Sequence, residues 1–340
     1  MINKFNLRYL ILPFLVSISI FSCKKDANVG NQEEKLLTNA VSIENGYLKF
    51  RDQKAFDSLV NILVKPENFN SKPKELQNFK SYRDIYLEIS KEYENVNTNK
   101  SFDDFKNKYS EIVEIKSDSS LTYKFGTPLS ALFTNIKGEV KIGDITTVYT
   151  NSQKMISYIG SHKKESELGN LKTDLSKGVE VSDISRRVAV TESEIVLGST
   201  TSSVIKSALY YNEDGKRRLF VDLWVDRTPR SLSDGTPSAF TPLTRYYCTS
   251  KQELKKTFGG WRTNETDYYF SNLNYLCTVR RIPVIDPINY TYNLPSYGIQ
   301  GVYGPILIDI ISTTDDVQGF SGSGHFTSGG VPNTPIFSTY

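Results

Sequence analysis

From Gly138 onward the apolar residues recur every second position, whereas upstream they recur every third or fourth. A helix buries one stripe with a period near 3.6 and a half-buried strand alternates, so this change of period sets what the two parts of the chain can become. Upstream, VSIENGYLKF reads as a short hairpin with Asn45-Gly46 supplying the positive-φ turn positions. Asp52 can cap a helix carrying Phe56, Leu59, Val60 and Leu63, which Pro66 ends. Residues 75–94 repeat the pattern through Phe79, Tyr82, Tyr86, Ile89 and Tyr93. Ser101 and Asp104 are spaced as a capping pair ahead of Phe105, Tyr109 and Ile112. Residues 40–135 are therefore expected to be mainly helical.

Downstream, GEVKIGDITTVY and MISYI read as strands, and SHKKESELGNLKTDLSKGVE as a polar connection, giving a small β unit over 136–180. SSVIKSALYY and RRLFVDLWVD flank Asn212-Glu213-Asp214-Gly215 as a hairpin would. ILIDII is nearly unbroken in apolarity, as a strand covered on both faces should be. Many strands without alternating helices point to a sandwich over 181–340. The predicted class is α+β, a helical N-terminal part followed by a mainly antiparallel β-sandwich C-terminal domain. SKQELKKTFGG is ambiguous, because Ser250 and Glu253 form a capping-box pattern and Gly259 could end a short helix.

The first residues carry Lys4 and Arg8, then an apolar run from Leu10 to Phe21, then Ser22 before Cys23. A basic start, about a dozen apolar residues and a small residue at the cut describe a secretory signal over 1–22, shorter than the roughly 20 residues of a bilayer span. Ile20-Phe21-Ser22-Cys23 resembles a bacterial lipobox, in which the thiol accepts the lipid, although Phe21 is bulkier than usual there. The alternative is an ordinary signal peptide with a chance cysteine. Residues 23–39 are polar and poor in aromatics, a flexible tether. Acylated Cys23 would then make the lipid bilayer a partner. The formal net charge is +3, and loss of Lys4 and Arg8 with the signal lowers it to +1, which excludes the basic face that nucleic acid requires.

With Cys23 acylated, Cys248 and Cys277 remain, and an exported compartment permits a disulfide between them. Closing a loop of about 30 residues would stabilise by about 3.6 kcal/mol on the chain-entropy model. Two buried free thiols are the alternative. His162 and His325 lie far apart without nearby cysteines, so no metal site and no cofactor is expected.

No catalytic residue is assigned. In GFSGSGHF, Ser323 stands two residues after Ser321 where a nucleophile elbow requires glycine, and no helix follows. In LFVDLWVD, Asp222, Trp224 and Asp226 share one strand face, but four residues at about 3.3 Å place the carboxylates about 13 Å apart, beyond glycosidase spacing. A solvated face is the expectation there. Tyr290, Tyr292, Tyr297 and Tyr303 cluster in a loop-like stretch with Pro and Gly, and DYYF adds Tyr268 and Tyr269. Tyrosine joins rigid apolar area to a hydroxyl, suiting a glycan or a protein ligand, whereas rings packed over the sandwich are the alternative.

LKKTFGGWRTNETDYYF, with Lys255, Lys256, Phe258, Gly259, Trp261, Thr263, Thr266 and Phe270, resembles a strand pair of uncharacterised outer-membrane lipoproteins of the Bacteroidota. VSIENGYLKFRDQKAFDSLVN and EVKIGDITTVYT resemble the same group, so about a third of the chain is covered. The resemblance implies an envelope protein and carries over no active site. Lys25 at the second position after Cys23 is compatible with outer-membrane sorting, by resemblance to known sorting rules. Three classes remain: a tethered binding or adhesion module, a structural envelope or fimbrial component, and an enzyme such as a hydrolase. The anchor reading predicts that Cys23→Ala moves the protein from the membrane fraction to the soluble one on cell fractionation; unchanged membrane partition refutes it.

Overall fold

A computed structural model describes residues 39–69, 71–188, 202–227, 243–256, 260–280, 287–313 and 316–336. Cys23, the signal and nearly all of the tether lie outside them. Three amphipathic stretches form helices with side-chain caps. α1 (Gln53–Leu63) begins at Asp52, whose carboxylate accepts from the Ala55 amide at 2.9 Å. α2 (Tyr82–Glu94) opens with a reciprocal capping box between Ser81 and Asp84. α3 (Asn99–Tyr109) starts earlier than expected, because Thr98 is its cap and Ser101 is the return partner. A fourth helix, α4 (Glu165–Leu168), is a single turn.

Strands are interleaved with these helices. β1 (Val41–Glu44) and β2 (Tyr47–Phe50) form the Asn45-Gly46 hairpin, with φ of 50° and 83° at the turn. β3 (Val113–Ile115) and β4 (Leu121–Tyr123) form a second hairpin. β2 pairs in parallel with β5 (Glu139–Ile142), and β6 (Ile145–Tyr149), β7 (Lys154–Ile159) and β8 (Val179–Val188) follow antiparallel. β8 runs parallel to β9 (Ser202–Tyr211), which continues through β10 (Arg217–Arg227), β11 (Thr244–Lys255) and β12 (Trp261–Thr263). With β16 (Ile306–Thr313) beside β11, this makes one sheet of 11 strands. β13 (Glu265–Arg280), β14 (Ile288–Leu294), β15 (Tyr297–Tyr303), β17 (Asp316–Ser328) and β18 (Val331–Ile336) make a second sheet of five.

The expected division into a helical N-terminal part and a following β-sandwich is overturned. The described residues are mostly strand with four short helices, and the first strands belong to the same large sheet as β9 to β12. Local periodicity reports the buried stripe of each helix, but it is blind to the parallel pairings β2–β5 and β8–β9 that join distant segments. The helical option for Ser250–Gly259 also fails over its described part, since Ser250–Leu254 form ladder pairs with Arg217–Val221 on β10. A helix of one or two turns is marginal alone, so a long ladder outweighs its caps.

Two cores lie on opposite faces of the large sheet. α1, α2 and the β3–β4 hairpin cover one face, through Phe56, Tyr86, Tyr93 and Leu121 against Trp224, Tyr247 and Leu307. The five-stranded sheet covers the other, through Phe270, Leu273, Tyr275 and Phe320 against Leu219, Val221, Cys248 and Ile308. ILIDII behaves as expected of a strand covered twice, sending Leu307 to the first core and Ile306 and Ile308 to the second.

The small sheet explains the Gly/Ser repeat of GFSGSGHF on β17. Tyr275 pairs with Gly322 and Asn274 with Ser323, which places Gly322 inward and Ser323 outward, whereas Gly319 lies opposite Thr278. A Cβ on Gly322 would run into the Tyr275 ring and, at 2.7 Å, the Asn274 carbonyl oxygen. The glycines are spaces for neighbouring side chains, a common reason for glycine within a strand. Gly322→Ala should therefore lower the unfolding free energy by about 1–3 kcal/mol in urea titration. Gly319→Ala, whose Cβ would meet nothing closer than 3.8 Å, is the control; equal effects would refute the packing account.

Candidate functional site

The interior of the large sheet holds charge that the sequence placed in solvent. Asp226 and Trp224 are buried, which overturns the solvated-face expectation for Asp222, Trp224 and Asp226. The reason is that α1, the 125–135 segment and the β3–β4 hairpin lie over this side of β10, where Trp224 stacks parallel on Tyr247 at 6.2 Å. Asp226 accepts hydrogen bonds from the hydroxyls of Thr127, Ser202 and, at 3.2 Å, Tyr247. Burial pushes its carboxyl up to about 6 despite those donors. Each donor comes from a different segment, so this carboxylate fastens the 127–130 turn to β9 and β11.

A second buried cluster lies further along β10. Arg218 donates to Glu253 through Nε at 2.8 Å and Nη2 at 2.6 Å, and through Nη2 to Asp118 at 2.7 Å. Lys251 lies 2.5 Å from the other Glu253 oxygen and donates to the Leu121 carbonyl. The guanidinium is held between Phe220 and Trp261, at 4.8 and 4.2 Å from the ring centroids. Burial opposes ionisation of Asp118, but hydrogen bonds from Ser120 and Arg218 hold its carboxyl down at about 2. Ion pairs of this kind fix the β3–β4 hairpin on the sheet, although Glu253 Oε1 has an ion-pair partner in Lys251 and no hydrogen bond.

The expected Cys248–Cys277 disulfide is absent, and both residues are buried free thiols. Cys248 belongs to the large sheet and Cys277 to the small one, and the Tyr275 hydroxyl stands 3.4 Å from the Cys248 sulfur. Burial pushes the Cys248 thiol up to about 12, so it is inert as a nucleophile. Among the described residues no group of three or more His, Cys, Asp or Glu side chains could hold a metal ion, and no helix is long and apolar enough to cross a membrane.

The four tyrosines expected in a loop lie on β14 and β15 and do not form one platform. Tyr290 and Tyr292 share the inner face of β14 with Ile288 and Leu294, half-buried against the second core with their rings 6.4 Å apart. Tyr303 is 8% exposed and donates to Glu94 at 2.8 Å. Tyr297 alone of the four is open, at 36%.

Tyr297 is instead joined by Tyr269, which is 46% exposed. Tyr269 pairs with Gly298 on one side and Thr327 on the other, so the ring stands on the outer face of the small sheet. Gly298 lets it lie flat, since a Cβ there would come within 2.8 Å of the ring. Ser271 pairs with His325 in the next outward row. Tyr269, Ser271, Ser296, Tyr297, His325 and Thr327 line a groove of about 410 Å³. No Asp, Glu, Lys or Arg contributes to its lining. The sequence signal that could have found it is a tyrosine whose cross-strand partner is glycine.

No family model and no curated protein matches the chain. It is similar to a solved DUF4848 family protein from Bacteroides thetaiotaomicron, with 17% identity, 86% of this chain and 96% of that chain covered, and a TM-score of 0.28. A superposition that loose transfers neither fold nor site to this chain.

The Asp226 carboxyl gives this interior a pH signature. Between about 4, the unfolded value, and about 6 the folded chain retains a proton that the unfolded chain has lost. Its contribution to stability is therefore fully present at lower pH and is lost as pH rises through that window, by on the order of 3 kcal/mol. Asp226→Asn removes this titration. The stability of D226N relative to wild type should rise between pH 4 and pH 7 in chemical denaturation; a difference independent of pH refutes the raised carboxyl.

Proposed function

We propose that this protein is a non-catalytic binding module, tethered to the bacterial outer membrane through acylated Cys23, and that its Tyr269–Tyr297 groove takes a neutral carbohydrate. The observation that carries the reading is a groove without Asp, Glu, Lys or Arg, lined by the exposed Tyr269 and by Tyr297, whose ring also packs on Phe270 at 5.9 Å. Aromatic rings match the apolar C–H faces of a sugar ring, and the hydroxyls of Ser271, Ser296 and Thr327 can exchange hydrogen bonds with its hydroxyls. A cationic ligand would find no carboxylate in the lining, and an anionic one no Lys or Arg. The tether rests on the signal-like run and Cys23, and the Bacteroidota resemblance accords with it. Nothing in the buried clusters competes as a catalytic centre, because Arg218, Glu253, Asp118 and Asp226 are engaged with one another or with hydroxyls.

A glycan array followed by calorimetry tests this. A neutral oligosaccharide should be retained, with Tyr269→Ala and Tyr297→Ala each weakening it about tenfold at unchanged melting temperature. An array that retains no glycan, or retention indifferent to both substitutions, would return the structural envelope component to first place.

A further inference from the structure

A second cleft, of about 390 Å³, opens where residues 66–69 and 71–76 and the first turns of α2 meet β15. Its walls include Leu63, Phe69, Leu76, Leu87, Leu132 and Val302. Its charged lining is Lys72, Arg83, Lys91 and Asp84, three cations against one carboxylate. Lys72 is already used: its ammonium stands 2.5 Å from Asp84 and donates to the Phe79 carbonyl at 2.7 Å. That pairing neutralises Asp84 and leaves Arg83 and Lys91.

Arg83 is poorly satisfied for a charge so enclosed. Its guanidinium lies 3.7 Å over the Phe69 ring, Nη1 makes a long 3.4 Å bond to the Phe69 carbonyl, and Nε is sealed from solvent without an acceptor. Lys91 is exposed, with its ammonium 5.5 Å from the centroid of Tyr303. Three carboxylates flank the cleft without lining it: Glu94 accepts the Tyr303 hydroxyl, Asp267 accepts from the Gly301 amide at 2.8 Å, and Glu265 Oε1 stands beside Gly301. A guanidinium that lines open space with a single long bond of its own suits an oxygen anion, which such a fork binds with paired hydrogen bonds.

We propose that this cleft binds an amphipathic carboxylate, a flexible apolar chain ending in one anionic head. The head sits on Arg83 with Lys91 closing over it, and the chain runs along Leu63, Leu87, Leu132 and Val302. About half of the lining side chains are apolar and the rest polar, so the cleft offers both a wall for a chain and donors for a head group. Glu94 favours a single negative charge over a doubly charged phosphate. The site is separate from the tyrosine groove, so its ligand is independent of the carbohydrate reading.

Calorimetric titration of the purified full chain with decanoate decides the matter, with decanol and inorganic phosphate as controls. Saturable decanoate binding is expected, with both controls at least about tenfold weaker and Arg83→Gln lowering decanoate affinity by a similar factor. Leu87→Trp fills the cleft from its apolar wall without touching Arg83, and should weaken binding as strongly while the chain stays folded. If Arg83→Gln fails to fold, Leu87→Trp decides. The proposal is overturned by no saturable decanoate binding, by equal affinity for decanoate and decanol, or by binding unchanged in either folded variant.

Discussion

The large sheet must bury both of its faces, and the placement of every other layer follows from that. Consecutive residues on three of its strands go to opposite cores: Val204 and Ile205 on β9, Tyr247 and Cys248 on β11, Leu307 and Ile308 on β16. A strand built this way exposes apolar side chains whichever face is left open. The helices and the β3–β4 hairpin therefore lie against one face, and the five-stranded sheet against the other. Short helices suffice because their stability comes from that packing rather than from their length.

Two-sided burial also carries charge into the interior. Arg218 is fixed on β10 opposite Glu253 on β11, so laying the β3–β4 hairpin over them removes the pair from water. The structure compensates by supplying Asp118 from the hairpin itself and Lys251 from β11. Breaking one partner of such a set leaves an uncompensated buried charge, at a cost of about 3–5 kcal/mol. Asp226 solves the same difficulty with hydroxyl donors, and its raised carboxyl shows that they offset only part of its desolvation. These clusters specify how the layers dock. The two clefts lie instead at the margins, one on the small sheet and one at the seam beside α2.

What was legible in the sequence was local. Asp52 capped its helix, Asn45-Gly46 made its hairpin, and the turn at Asn212–Gly215 set the β9–β10 register through Tyr211 opposite Arg218. What was not legible depended on partners far away in the chain. Nothing in EVKI or YLKF announces that β2 and β5 pair in parallel, and nothing in LFVDLWVD announces that Thr127 and Ser202 will close over Asp226. The tyrosine cluster misled because Pro and Gly suggested loop, whereas the strand places Tyr290 and Tyr292 inward by simple alternation. Glycines were the unread clue. In GFSGSGHF they answer Tyr275 and Leu273, and in SYGIQG Gly298 answers Tyr269.

That last correspondence separates recognition from packing. A solvated sheet face is ordinarily built of short polar side chains, and Asn274, Ser323, Asn289, Thr291 and Asn293 supply them on the small sheet. They cost little to expose. A tyrosine ring costs more, and 46% of Tyr269 remains in contact with solvent although a glycine partner gives it room to lie down. Tyr275 faces the same kind of partner, Gly322, yet is covered to 1% by the second core. The two rings have matching cross-strand spaces and differ in which side of β13 they occupy. Inward, the space under the ring is used for close packing. Outward, the same device lays the ring's second face open at the floor of a groove, which is the geometry that a stacked ligand requires.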